Sequence, residues 1–159
     1  MKNVNGGLYN RTWIAQRADP YVYRHRDGYY YFTASVPAYD GIVLRRADTL
    51  AGLAQAEEVE VWHKHESGIM SFHIWAPELH YIDGAWYIYF AGSDKDDIWA
   101  LRPYVLECKD ADPVSGTWVE KGKMRRAPGD EFSFEAFSLD ATVFENRGKW
   151  YYIWAEKVG

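Results

Sequence analysis

One hairpin pattern, written three times, constrains this chain more than any other feature. It is clearest over residues 72–92. Leu79–Ile82 is β-prone, Asp83-Gly84 is a two-residue turn signal, and Trp86–Phe90 is almost wholly aromatic or β-branched. An earlier copy runs from Asp19 to Ala34 and a later one from Asp140 to Ala155. Their turn glycines, Gly28, Gly84 and Gly148, stand 56 and 64 residues apart. A period near fifty with several short strands per repeat is the mark of a β-propeller, in which each repeat is one four-stranded blade. Each blade needs two further strands. Ile42–Arg46 and Glu58–Trp62 supply them after the first hairpin, Tyr104–Lys109 and Thr117–Lys121 after the second. The third copy has no second half before Gly159. The expected fold is therefore all-β: a lead-in over 1–17, blade one over 18–64, blade two over 72–122, and the first hairpin of blade three over 137–156.

The connections read less sharply. Trp13-Ile14-Ala15 suits a short strand or a packing plug. Residues 47–56 hold helix-friendly Ala, Leu and Gln but are too few for a stable helix. Pro77 is expected to open its strand, where a missing ladder donor does no harm. Residues 92–103 read as a polar loop. Its acidic run, Ser93–Asp97, lacks the twelve-residue EF-hand pattern, so a solvated loop is favoured over a Ca²⁺ site. His73 and His80 do not have a metal-ligand spacing, and no metal or cofactor is implied. Cys108, the single cysteine, lies in an apolar strand pattern and reads as a small buried hydrophobe.

Composition narrows the partners. Aromatics make up 18% of the chain, with eight Trp and thirteen Tyr, which suits sheet packing and stacking on sugars. A net charge of −5 disfavours nucleic acid, whose phosphates need a basic surface. No apolar run is long enough to span a bilayer as a helix. Met1–Gly7 lacks the apolar core of a signal peptide, so the expected location is the cytoplasm.

Asp19, Glu78 and Asp140 each lie near the start of a copy's first strand. In a propeller the first strand of each blade lines the central channel, and loops at one rim form a pocket. Carboxylates gathered there are what glycoside hydrolysis needs: one protonates the leaving oxygen and one activates water. Crowded like charges also push their pKa values apart. The alternative reading of Asp19, ahead of Pro20, is a plain turn or strand-start residue.

Three motifs, Ala18-Asp19-Pro20-Tyr21-Val22, Trp75-Ala76-Pro77-Glu78-Leu79 and Ser138-Leu139-Asp140-Ala141, occur in that order on successive repeats. Together they resemble glycoside hydrolase family 43. The resemblance implies a five-bladed propeller, of which this chain holds about two and a half blades. It implies an inverting enzyme acting on arabinose- or xylose-containing glycans, of the α-L-arabinofuranosidase or β-xylosidase type. Asp19 would be the general base and Asp140 the auxiliary carboxylate that orients and tunes the acid. The acid itself would be a Glu on a later blade; Glu156 does not match it. Trp75 would stack on a sugar, although a core Trp is as good a reading. Glu78 would accept hydrogen bonds near the pocket, and Phe137 and Ser138 would line it. The implied partners are an oligosaccharide or glycoside substrate and a complementing C-terminal propeller segment, without which the chain is inactive. A non-catalytic carbohydrate-binding propeller fragment is the alternative, and a purely structural propeller a weaker one.

Overall fold

The computed structural model describes residues 12–157. Strands β1 (Ala18–Arg24), β2 (Tyr30–Ser35), β3 (Gly41–Ala47) and β4 (Val59–His63) form one antiparallel sheet in chain order. Strands β5 (Phe72–Ile82), β6 (Ala85–Asp94), β7 (Asp97–Cys108) and β8 (Trp118–Lys123) form a second in the same order. Strands β9 (Ser138–Asn146) and β10 (Lys149–Glu156) pair as a hairpin. The sheets pack against one another in sequence. β5 lies on β1 and β2, and β9 lies on β5, β6 and β7. This is the stacking of successive propeller blades, each burying faces it cannot bury alone.

The contact between the first two blades is apolar. Tyr31, Ile42 and Leu44 from blade one meet Leu79, Trp86 and Ile88 from blade two, all at most 2% exposed. Trp86 is the pivot. Its ring lies 5.0 Å from Tyr31 and 4.5 Å from His25 across the blade boundary, and its Nε1 donates to the Ala111 carbonyl at 3.3 Å. The indole is thus buried with its one polar group paired. β6 is buried on both faces because blades stand on either side of it, which explains its continuous apolar character. At the outer edge, Trp62 Nε1 donates to Glu120 Oε1 at 2.8 Å and His65 Nε2 meets the same oxygen at 2.8 Å, tying β4 to β8.

Several local expectations change. Residues 92–103 are not a loop: the β6–β7 hairpin runs through them, pairing Ala91 with Pro103, Gly92 with Arg102 and Asp94 with Asp97. The acidic run is its turn, closed by the Asp96 N–H donating to Asp94 Oδ1 at 3.0 Å. Pro77 lies inside β5 rather than at its start, at a point where the ladder slips and no donor is needed. Residues 47–56 supply only a 3₁₀ turn, Ala51–Ala54. Trp13 and Ile14 form no strand and pack as a plug on Phe32, Ala34 and Leu53. Cys108 is fully buried, and burial pushes its thiol pKa up.

Trp86→Ala is expected to destabilise the fold by about 3–5 kcal/mol, the range for deleting a buried aromatic ring. Urea denaturation of the purified chain measures this. A loss below about 1 kcal/mol would show that the core between the blades is not what holds them together.

Candidate active site

The innermost strands β1, β5 and β9 carry the same irregularity. In β1 the register passes from Ala18↔Ser35 to Tyr21↔Thr33, so Asp19 and Pro20 together face one residue, Ala34. In β5 it passes from Trp75↔Ala91 to Glu78↔Tyr89, so Ala76 and Pro77 face Phe90. In β9 it passes from Leu139↔Ala155 to Thr142↔Ile153, so Asp140 and Ala141 face Trp154. These are β-bulges, which bend a strand and re-aim a side chain. The first bulged residue is left-handed each time, with φ of 49° at Asp19, 46° at Ala76 and 52° at Asp140. Asp visits that region more readily than most residues because its short polar side chain can hydrogen-bond locally.

Register therefore makes Asp19, Ala76 and Asp140 the equivalent positions on three blades. Glu78 lies two residues further along, level with Tyr21 and Thr142. Grouping Glu78 with the two aspartates by strand position does not hold: the ladders, in agreement with the prolines of Asp19-Pro20 and Ala76-Pro77, put Ala76 there instead. One open cavity of about 230 Å³ is lined by Asp19, Pro20, Ala76, Asp140 and Ala141 together with Tyr21 and Glu78.

Ser35 connects two of the bulges. Its side chain is buried, its Oγ accepts from the Ala76 N–H at 2.8 Å, and it lies 3.1 Å from Asp19 Oδ2. A carboxylate oxygen only accepts, so the hydroxyl proton goes to Asp19. One residue at the end of β2 thus holds blade two and orients a carboxylate of blade one. Sequence reasoning passes over it because an isolated Ser carries no motif; only its pairing with Ala18 places it at the bulge.

The other carboxylates differ in surroundings. Burial, and then the neighbouring Asp19 charge, push the Asp140 carboxyl above its ordinary pKa. Glu78 Oε2 lies 3.0 Å from Nε2 of the buried His80. Burial, reinforced by Glu78, drives the Tyr21 phenol far above its usual value. Glu156 accepts from Trp154 Nε1 at 2.7 Å, the Phe134 N–H at 3.0 Å and the Ala136 N–H at 3.1 Å. Burial works against these donors, yet they hold its carboxyl below the ordinary range, which suits a brace for the 133–137 segment rather than a proton donor.

The remaining sequence candidates lie around the cavity rather than in its lining. Trp75 is half-buried beside it, edge-on to Tyr39 at 5.6 Å. Ser138 is fully buried and its hydroxyl donates to the Ala136 carbonyl at 2.7 Å, while the Phe137 carbonyl accepts from the Lys157 N–H at 2.9 Å. The cavity takes their neighbours Asp140 and Ala141 instead.

A propeller that brings carboxylates from separate blades to one rim cavity has the general form of a glycosidase. The chain belongs to the glycosyl hydrolases family 43, whose sequence model matches residues 10–159. It is 54% identical over 142 residues to an extracellular exo-α-(1→5)-L-arabinofuranosidase of Streptomyces avermitilis, covering 89% of this chain and 28% of the relative. It is 52% identical over 148 residues to an enzyme of the same name from Streptomyces chartreusis, covering 93% of this chain and 43% of the relative. The crystal structure of an α-L-arabinofuranosidase from Lactobacillus brevis superposes with a TM-score of 0.81 at 52% identity, covering 92% of this chain and 46% of that one. The chain thus spans less than half the length of each.

One expectation falls with these names. Met1–Gly7 pointed to the cytoplasm, but both Streptomyces relatives are named extracellular. The cytoplasmic reading rested on residues outside those described. A secretory leader is also removed from the mature protein and leaves no mark on its fold.

Two measurements probe the site's geometry. Ser35→Ala leaves the Ala76 N–H unpaired and is expected to cost about 1–3 kcal/mol of stability, read by urea denaturation. Asp140→Asn tests the raised carboxyl. A folded-state pKa above the unfolded one means stability falls as pH rises between the two values. Asn also tolerates the left-handed backbone. The variant is therefore expected to gain stability at pH 7, with the gain shrinking through the carboxylate range and gone below about pH 3.9. Solvent screening at the open cavity keeps it small. A gain that grows toward acid would contradict the assignment.

Proposed function

We propose that this chain is the N-terminal part of an inverting glycoside hydrolase that releases arabinose from arabinose-containing glycans, in the manner of an α-L-arabinofuranosidase. The observation that carries the reading is the meeting of Asp19 and Asp140, on equivalent bulges of blades one and three, at a single cavity. The names of the relatives favour arabinose over xylose. Asp19 is the general base. Ser35 restrains its carboxylate, which takes a proton from water as that water attacks the anomeric carbon. Asp140 is the auxiliary carboxylate. Its charge beside the leaving-group side favours the protonated form of the acid, and its own pKa is raised by burial first and by the Asp19 charge second. Glu78, held by His80, receives sugar hydroxyls.

The general acid comes from a complementing C-terminal segment. In an inverting enzyme it lies roughly 6.5–9.5 Å from the base, leaving room for water. Two surfaces fit such a segment. Phe144, Trp150, Tyr151 and Ile153 are exposed on the third hairpin, where a following blade packs. A cavity of about 300 Å³ lined by Trp13, Ile14, Pro20, Val22, Phe32 and Leu50 faces out from blade one, where a closing blade packs. The short coverage of the relatives supports the same reading.

Hydrolysis of methyl and aryl α-L-arabinofuranosides tests this, using the chain joined to that segment. Asp19→Asn is expected to lower kcat/KM by about 10²–10⁴-fold while binding survives. A folded Asp19→Asn protein with undiminished turnover would remove the base assignment. Turnover by the 159-residue chain alone would remove the need for the segment.

A further inference from the structure

The chain entering the Asp19 bulge is held by a charged cluster that does not line the cavity. Arg17 presents Nε and Nη2 to the two carboxylate oxygens of Glu58, which stands just before β4; the Nε contact is 3.2 Å. Arg45, in β3, donates from its Nε to Glu58 Oε2 at 3.0 Å. Its Nη1 donates in turn to the carbonyls of Leu53 at 3.2 Å and Ala54 at 3.4 Å, and its guanidinium lies 5.9 Å over the Phe32 ring. All three side chains are largely buried. Burial works against the Glu58 charge, yet the two arginines hold its carboxyl below the ordinary range. A lone exposed ion pair contributes little. A bidentate fork within a three-member network is the exception, because its geometry is fixed.

Location separates this cluster from general scaffolding. Each of the three bulges has a tie a short way upstream that reaches another part of its own blade. His73 stands before Ala76, and its Nδ1 lies 2.8 Å from the Ile98 carbonyl in β7. Ala136 stands before Asp140, and its N–H donates to Glu156 Oε1 in β10 at 3.1 Å. Arg17 holds the same place before Asp19. There the tie has strain to contain. Asp19 and Pro20 leave the ladder between Ala18 and Tyr21, and proline has no N–H to offer. Left-handed backbone flanks the arginine on both sides, with φ of 53° at Gln16 and 49° at Asp19. Arg17 Nη1 also donates to the Gln16 carbonyl at 2.8 Å. Such backbone persists only where its surroundings over-determine it.

We propose that Arg17 and Glu58 are positioning residues for the Asp19 carboxylate: their clamp fixes the backbone entering the bulge and so keeps Asp19 Oδ2 on the Ser35 hydroxyl. This rests on the reading of Asp19 as the general base. The clamp touches neither substrate nor base and acts only through the chain between them. Two consequences follow from a loosened bulge. The carboxylate no longer stands where the attacking water needs it, which lowers turnover rather than binding. The ionised base also loses the proton that Ser35 donates, so it stays protonated to a higher pH. The other groups that share the cavity, Tyr21, Glu78 and Asp140, are untouched by a change at Arg17 or Glu58. A clamp that only held the fold together would lower stability and produce neither effect.

The test measures hydrolysis of methyl α-L-arabinofuranoside by the completed propeller across pH. Glu58→Gln is expected to lower kcat about tenfold with KM within about twofold, and to move the acid limb of the kcat/KM profile up by about half a pH unit. Ser35→Ala should move that limb as far, and adding Glu58→Gln to it should move it no further, because both changes remove one hydrogen bond. Arg17→Lys keeps the charge but not the fork and serves where Glu58→Gln does not fold; it is expected to show the same limb shift with a smaller fall in kcat. Asp112→Asn, which breaks the exposed Arg46 pair elsewhere on blade one, should leave kcat and the limb unchanged. Loss of stability in Glu58→Gln or Arg17→Lys with kcat and the acid limb of the wild type overturns the positioning role. Failure of the glycosidase reading looks different: the wild type hydrolyses nothing. Crystal structures then decide. Loss of the 3.1 Å contact between Ser35 Oγ and Asp19 Oδ2 in the folded variant upholds the clamp, and its survival overturns it.

Discussion

Face-to-face burial of blade one against blade two sets the position of everything at the rim. Neither sheet covers its own apolar face, and the Trp86 indole closes the gap between them with its N–H satisfied. That contact brings β5 against β1 and β2. Only then does the hydroxyl of Ser35 reach both the carboxylate at one bulge and the backbone N–H at the next. The polar link is worth little by itself, since a net hydrogen bond contributes about 1 kcal/mol. Its importance is directional: it works at the rim because the packing below has already fixed the distance.

Against that packing the chain holds strain where chemistry is expected. Left-handed residues cost of order 1–3 kcal/mol each and survive where the structure over-determines them. Asp19, Ala76 and Asp140 share one such conformation at one structural position. Two blades place a carboxylate there and the third places a methyl group. The result is an asymmetric cavity whose lining includes both acids and the Ala76 methyl group. Burial, and after it the Asp19 charge, raises the Asp140 pKa.

Aromatic side chains of similar composition meet three fates in this molecule. Trp86 in β6 is fully buried, Trp150 in β10 is exposed, and Trp99 in β7 stands at the rim on His73. No local property of these strands separates the three. What differs is the neighbour: β6 is enclosed by blades, and β10 has none beyond it among the described residues. The short strand and its hydrophobic content are encoded locally, whereas the use of each ring depends on which blade stands next to it.

The amino-acid sequence alone determined the hairpins, their turn glycines, the all-β propeller and the family motifs around Asp19 and Asp140. The hairpins and the propeller follow from alternation, turn chemistry and the spacing of the repeats, and the motifs are legible through their resemblance to family 43. Tertiary structure decided the rest. The prolines of Asp19-Pro20 and Ala76-Pro77 hint that Ala76, not Glu78, matches the aspartates, but the bulge and left-handed backbone that aim these positions at one cavity appear only in the ladders. The polar stretch over 92–103 becomes a hairpin because it is paired within its sheet, despite a loop-like composition. Ser35 and Trp99 gain meaning from partners 41 and 26 residues away, Ala76 and His73 respectively, that approach only when the blades and strands have packed. Strand identity is a short-range property of a chain; convergence at a rim is a long-range one, set by burial between elements that sequence lists far apart.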